Sequence, residues 1–221
     1  MTSVANAVET LRLVTSKEPI AGLAQAFSRA GYELALVGGP VRDAFLGREV
    51  NDLDFTTSAR PDQIEKIVAP LAKATWDVGR EFGTIAAHIG EFRVEITTYR
   101  ADKYDPASRK PEVAFGTDLN EDLFRRDFTI NSMALRLPEK TFVDPFNGLQ
   151  DLIDGVIRTP GAPEVSFGDD PLRMMRGARF ASQLGFEIEP ATFAAMTEMA
   201  ERIEIISAER VQTEFVKLML G

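Results

Sequence analysis

The stretch Leu34–Thr57, LALVGGPVRDAFLGREVNDLDFTT, decides the fold. Its apolar run Leu34–Val37 suits a buried strand, and Gly38 and Gly39 end that run. Pro40 fits the first position of a helix, where its missing N–H costs nothing, and Gly47 is placed to stop that helix. A second strand is predicted from about Val50, carrying Asp52 and Asp54. Glycines lack a Cβ, so backbone N–H groups can approach an anion closely. A helix N-terminus just beyond them favours phosphate. Residues two apart on a strand share a face, which sets Asp52 and Asp54 side by side. Two neighbouring carboxylates repel unless a cation lies between them. A hard ion such as Mg²⁺ takes oxygen ligands of this kind together with phosphate oxygens. The unit therefore reads as a site for a metal–nucleotide complex. Taken singly, a GG pair is an ordinary turn and a D-x-D is surface charge or a cap. Their order and close spacing in one strand–turn–helix–strand unit point to chemistry. Neither G-x-x-x-x-G-K-[ST] nor G-x-G-x-x-G occurs in the chain.

On the N-terminal side, residues 1–18 read as a flexible start or a short helix, and Ile20–Ala30 has a helical period with Gly31 to end it. On the C-terminal side, Pro61 opens a helix with Ile64, Ile67, Val68 and Leu71 on one face. Trp76 and Val78 begin an extended piece, and Phe82–Ile89 and Phe92–Tyr99 form a hairpin through Gly90–Glu91. In the last of these strands Glu95 shares its polar face with Arg93 and Thr97. That face is either solvated or supplies a third acidic group near Asp52 and Asp54. His88 is the sole histidine and reads as structural. Tyr99–Pro111 is charged and turn-rich, with four basic against two acidic residues, and is predicted as a loop, mobile or ordinary.

Further on, Arg125 and Arg126 put two guanidinium groups, which match phosphate oxygens bidentately, beside the acidic site. Asp127 and Asn131 are four apart, hence adjacent if helical; the plainer reading is a cap by Asp127 with exposed arginines. Val143–Gly161 is dense in turn residues and reads as a connector. Asp169–Gly185, DDPLRMMRGARFASQLG, is predicted as a helix, with Asp170, Arg173, Arg176 and Arg179 in steps of three. One reading is an exposed salt-bridged stripe over buried Leu172, Met175 and Phe180. The other is base recognition. Cytosine and adenine offer an amino donor beside a bare ring nitrogen, whereas uracil and guanine offer a carbonyl beside a ring N–H. A carboxylate next to a guanidinium complements the first pair and mismatches the second. Glu189–Gly221 is helical in pattern, with Val211, Phe215, Leu218 and Met219 as an apolar face.

Composition narrows the field. The 221 residues, 44% hydrophobic, can bury a sizeable core. No cysteine is present, which excludes disulfides and thiolate zinc sites and fits a cytoplasmic location. No apolar run approaches the ~18 residues of a membrane span, and no signal-peptide pattern opens the chain. A net charge of −9 argues against gripping RNA by bulk charge. Basic residues must be concentrated locally, or much of the grip lies outside this chain.

GGPVRDAFLGREVNDLDFTT resembles the signature of the class II tRNA nucleotidyltransferases, the CCA-adding enzymes and bacterial poly(A) polymerases of the DNA polymerase β-like superfamily. FGTIAAHIGEFRVEITTYR, RRDFTIN, DPFNGLQDLIDGVIR, DDPLRMMRGARF and ISAERVQTEFVKLMLG resemble its further motifs. The resemblance implies an α+β fold: a nucleotidyltransferase head with a mixed sheet and flanking helices, then an all-helical neck. It suggests a flexible segment over 1–19, a head over 20–150, a neck over 151–221, and body and tail domains beyond. It implies two Mg²⁺ ions held by Asp52 and Asp54 for a two-metal nucleotidyl transfer, with Glu95 as the third candidate acid. Gly38, Gly39, Arg42 and Arg126 would take the triphosphate, and Asp127 and Asn131 would lie near the ribose. Asp170 and Arg173 would act as a protein template for CTP and ATP, with Arg176 and Arg179 helping to hold the nucleotide. Asp54 and Arg173 are thereby expected around one nucleotide. The partner would be the 3′ end of tRNA, with no membrane involved, and the loop after Tyr99 would adapt the site during addition. Asp169 stands where the family has Glu, and Gly177 where it has Ala. A poly(A) polymerase shares every motif, though SRKPEVAFGTDLNEDLFRRDFTIN looks more like the CCA-adding branch. An inactive nucleotide- or RNA-binding module is the rival from another class, and the intact carboxylates argue against it.

Overall fold

The computed structural model describes residues 4–50, 53–100 and 115–220. The chain divides into two units, the first made of Met1–Leu123 and Met133–Pro145, the second of Phe124–Ser132 and Phe146–Gly221. The RRDFTIN segment, expected with the sheet, belongs to the second unit.

The first unit opens with helices α1 (Val4–Ser16) and α2 (Ile20–Arg29), then β1 (Leu34–Val37), α3 (Gly39–Phe45), β2 (Leu53–Thr57) and α4 (Pro61–Val68). Strands β3 (Ala74–Gly79), β4 (Thr84–Ile89) and β5 (Phe92–Thr98) follow, then α5 (Leu119–Phe124), β6 (Ala134–Leu137) and β7 (Thr141–Val143). The expectation of a flexible start gives way to its alternative: α1 is a helix, because Ala7 and Leu11 recur on one face and are fully buried. The seven strands run in the order β3-β4-β5-β2-β1-β6-β7. All neighbours are antiparallel except β2 and β5, which are parallel, so the sheet is mixed.

Alternation gives this sheet two unlike faces. Leu34 and Leu36 are in register with Thr57 and Phe55, and Phe55 with Ile96; Ile96 pairs with Ile85, and this apolar row is buried. The buried Ile20, Leu23 and Phe27 of α2 and Ile64 and Val68 of α4 belong to helices that contact β1 and β4–β5 respectively. The other row carries Asp54, Thr56, Arg93, Glu95 and Thr97. The hairpin turns through Gly90–Glu91 as predicted, with Ile89 opposite Phe92.

The second unit contains a 3₁₀ turn (Thr129–Asn131), then α6 (Gly148–Asp154), β8 (Val156–Ile157), α7 (Pro163–Asp169), α8 (Leu172–Leu184), β9 (Glu187–Ile188), α9 (Pro190–Glu198), a 3₁₀ segment (Ala200–Ile205) and α10 (Ala208–Leu220). It is mainly rather than wholly helical. Gly155 and Gly185 end α6 and α8 in the left-handed conformation, and the chain beyond each is extended, so that β8 and β9 pair in parallel. The helix predicted from Asp169 begins later: α7 ends at Asp169, and α8 starts beyond Pro171, with Asp170 extended between them. Met174, not Met175, joins Leu172, Gly177 and Phe180 on its buried side. Half of the apolar face expected of α10 is turned outward: Phe215 is 51% and Met219 69% exposed, whereas Val211 and Leu218 are half-buried and Glu214 is buried. Among the described residues no helix is long and apolar enough to cross a membrane.

Candidate active site

In the first unit the site elements follow from the opening stretch. Gly38 has φ 73 and ψ −130, a backbone state that strains any residue with a Cβ, and its N–H donates to the Met133 carbonyl at 3.4 Å. Helix α3 starts directly after it. Arg42 is largely buried and donates through Nε to Asp43 Oδ1 at 2.9 Å, its Nη2 lying 2.8 Å from the same oxygen. A Cβ on Gly39 would stand 3.8 Å from Arg42 Nη2. Asp54 is exposed on β2, and the parallel register sets it beside Glu95 on β5. In-register residues of neighbouring strands point to the same side, so these two carboxylates share a face. Asp52 lies outside the described residues, as do residues 101–111 of the predicted loop.

Glu95 Oε1 accepts from Arg93 Nη2 at 2.9 Å; the two side chains are 36% and 55% exposed, so water screens this pair strongly. Arg93 also lies 5.8 Å from the Trp76 ring, which has His88 5.0 Å away on its other contact. His88 is thus an exposed neighbour of an aromatic ring. A further carboxylate sits on the Asp54 side: Asp122 of α5 is fully buried, lies 3.1 Å from the Thr56 hydroxyl and accepts from the Arg100 N–H at 3.2 Å. Sequence reading passed over it, because DLNEDLFRRD reads as one charged run and nothing in its spacing marks Asp122.

Among the described residues no three His, Cys, Asp or Glu side chains are grouped closely enough to hold a metal. The chemistry of the donors present still suits one ion. Asp54 and Glu95 are hard oxygen ligands on one open face, and Mg²⁺ commonly takes one or two carboxylates plus substrate phosphates and water rather than a closed protein cage.

In the second unit the arginine helix and the RRDFTIN turn interlock. Asp127 and Asn131 do meet, with Asn131 Nδ2 donating to Asp127 Oδ1 at 3.0 Å, but not along an α-helix: Asn131 ends a 3₁₀ turn, Thr129–Asn131, and Asp127 lies before it. Phe128 is extended and ends any helical run from α5. Asp127 Oδ1 also accepts the Phe128 N–H at 2.8 Å, while Oδ2 accepts from Arg176 Nε at 2.8 Å and lies 2.6 Å from its Nη2. Burial alone would raise the Asp127 carboxyl; Arg176, Asn131 and the Phe128 N–H outweigh it and hold it below the ordinary carboxylate value. Asp127 in turn pushes the Arg176 guanidinium up. The turn is anchored from below, where Thr129 Oγ1 donates to the buried Asp151 of α6 at 2.6 Å and its N–H donates to the Arg158 carbonyl at 2.8 Å. The connector thus serves as a footing for the arginine turn.

The expected acid–arginine couple has other partners. Arg173 donates through Nη1 to Ser166 Oγ at 2.8 Å and through Nη2 to the Arg125 carbonyl at 2.6 Å. Burial lowers its guanidinium pKa, though arginine remains charged. Asp170 caps α8 through the Leu172 N–H at 3.2 Å and pairs with Arg210 Nη2 at 2.9 Å. Arg179 pairs with the buried Glu214 and donates to Gln183 at 2.8 Å. Arg126 is half-buried on the turn itself. Sequence reading missed Arg210 and Glu214, which stand at helical spacing in ISAERVQTEFVKLMLG. Only the apolar positions of that stretch drew attention.

Residues 34–158 match the Poly A polymerase head domain, and residues 185–221 match the probable RNA and SrmB-binding site of polymerase A. The chain belongs to the Poly A polymerase head domain family. It is 46% identical over 192 residues to the CCA-adding enzyme of Enterococcus faecalis, covering 86% of this chain and 46% of that one. The crystal structure of the Bacillus stearothermophilus CCA-adding enzyme in complex with CTP superposes with a TM-score of 0.82 at 38% identity, over 93% of this chain and 49% of that one. A tRNA nucleotidyltransferase complexed with a primer tRNA and an incoming ATP analog matches with a TM-score of 0.71 at 34% identity, over 87% of this chain and 54% of that one. The chain spans about half the length of the curated relatives it matches.

Proposed function

We propose that this chain carries the nucleotide-handling part of a CCA-adding tRNA nucleotidyltransferase, which transfers C and A from CTP and ATP to the 3′ end of tRNA and releases pyrophosphate. The observation that carries this reading is the pairing of Asp54 with Glu95 on one open sheet face, in a chain so similar to CCA-adding enzymes. Asp52 and Asp54 would hold two Mg²⁺ ions, with Glu95 as a third acid beside Asp54. When bound, one ion would lower the pKa of the attacking 3′-hydroxyl and both would offset the negative charge of the triphosphate. The turn at Gly38 and Gly39, with Arg42 and Arg126, would receive triphosphate oxygens. Asp170 and Arg173 would choose the base, and Arg176 and Arg179 would help hold the nucleotide. Four donors already converge on Asp127, about the number of lone-pair sites a carboxylate has. Its contribution near the ribose is therefore to orient Asn131 and Arg176.

The family description also favours a second reading, a poly(A) polymerase. The full-length protein, given tRNA lacking its terminal CCA together with CTP, ATP or both, separates the readings. Ordered addition of C, C and A is the expected result. A long A tract would assign the polymerase, and no incorporation would leave a binding module.

A further inference from the structure

We infer that Trp76, flanked by Arg93 and His88, is a stacking platform for an unpaired base of the RNA strand whose 3′ end reacts beside Asp54 and Glu95. The inference rests on the reading of that acid pair as the transfer site. Trp76 belongs to the same row as the acids. It is in register with Ala86 on β4, Ala86 with Glu95 on β5, and Glu95 with Asp54 on β2. In-register side chains point to one side, and the three strand spacings from β3 to β2 separate Trp76 from Asp54 by about 14 Å. An RNA strand that reaches the acids along this face passes the indole a few nucleotides before its end.

Bulk alone does not account for an indole at this place. Ala86 is fully buried, although its face also carries the exposed Asp54, His88 and Arg93. Trp76, opposite it, is placed to cover it, and a leucine would do as much. Trp76 itself is only half-buried on an edge strand, so part of its ring meets water. Its neighbours suit a nucleotide. The His88 ring is tilted at 47° with its centroid 5.0 Å away, which extends the aromatic surface. The Arg93 guanidinium lies 5.8 Å from the indole centroid, where a cation can reach the phosphate of a stacked base. Its Nη2 donates to Glu95, and a guanidinium has five N–H donors, so others remain for a phosphate oxygen. In a chain of net charge −9, such a local cation is what RNA binding requires. Stacking accepts every base, because each has a π face. The platform thus holds the strand without reading it, which suits an acceptor end whose last base changes with each addition.

The test is RNA binding by the full-length protein without nucleotide, read by Kd and by tryptophan fluorescence, with thermal melts of each variant. The probes are tRNA lacking its terminal A, a single-stranded RNA ending in CC, and a blunt RNA duplex. Trp76→Leu keeps the cover over Ala86 and removes the stacking ring. It is expected to weaken both unpaired-end RNAs about tenfold and to change duplex binding less than about twofold. In steady-state addition it should raise KM for tRNA and leave KM for CTP as it is. Trp76→Phe should retain most of the affinity, and Arg93→Met should flatten the slope of log Kd against log salt by about 0.7. The emission that wild type has and Trp76→Phe lacks should be quenched by either unpaired-end RNA and not by CTP. That readout stands even where Trp76→Leu fails to fold. Wild-type affinity in Trp76→Leu, an equal loss on the duplex, an unquenched difference emission or quenching by CTP alone would overturn the inference. Where wild type still adds C, C and A, the transferase reading survives that result. Absence of incorporation by wild type would instead overturn the reading itself.

Discussion

Four hydrogen-bond donors converge on Asp127, from the Phe128 backbone, Asn131 and both arms of Arg176. Because these hold its pKa below the ordinary value of 3.8, the folded state binds a proton there less readily than the unfolded chain. The stability Asp127 contributes is then fully present above the ordinary value and is lost as pH falls through the depressed one. Asp127→Asn is expected to cost about 3 kcal/mol at pH 7, the low end for breaking a buried pair, since Arg176 is partly exposed. That deficit should shrink in urea unfolding as pH drops below about 4; a deficit that stays constant down to pH 3 would contradict the assignment. Spacing announced the contact of Asp127 with Asn131, but the helix it assumed is not there: the chain folds back through extended Phe128 and a 3₁₀ turn instead. Neither the 3₁₀ turn nor Arg176 as the main partner was legible. The first depends on extended Phe128, and the second joins positions 49 residues apart.

Helix α8 accounts for Gly177, which stands where the resembled motif has Ala. A Cβ there would lie 3.0 Å from Cζ of Phe128, a fully buried ring set edge-on to Phe180 at 6.0 Å. Alanine would gain about 1 kcal/mol in helix propensity, whereas crowding a packed core costs about 1–3 kcal/mol. Gly177→Ala is therefore expected to be neutral or to destabilise by up to about 2 kcal/mol, read by urea unfolding. A gain of the full propensity difference would show that Phe128 yields freely. At this scale β1, α3, the β4–β5 hairpin and the Gly185 stop were legible, since each rests on local period and turn chemistry. The outward face of α10 was not: its apolar spacing argues for burial, but Glu214 and Arg210 dock that helix by charge instead.

Over the whole molecule, the strand order lay beyond the sequence. The parallel pairing of β2 with β5 sets Asp54 against Glu95, 41 positions on, and only alternation within each strand hinted that both belong to a polar face. The motif residues are spread over both units, with Asp54 and Glu95 in the first and Asp170 and Arg173 in the second. We propose that the first unit performs the transfer and the second chooses the base. The most direct measurement is single-turnover incorporation of CMP, AMP and UMP into tRNA lacking CCA, by full-length protein carrying Asp54→Ala or Arg173→Ala, each checked for folding by circular dichroism. Asp54→Ala should abolish addition of every nucleotide, by about a thousandfold or more, as loss of several kcal/mol of metal-assisted stabilisation implies. Arg173→Ala should keep adding nucleotides while its preference for C over U falls about tenfold or more. Turnover near the wild-type rate in Asp54→Ala, or undiminished preference in Arg173→Ala, would contradict it.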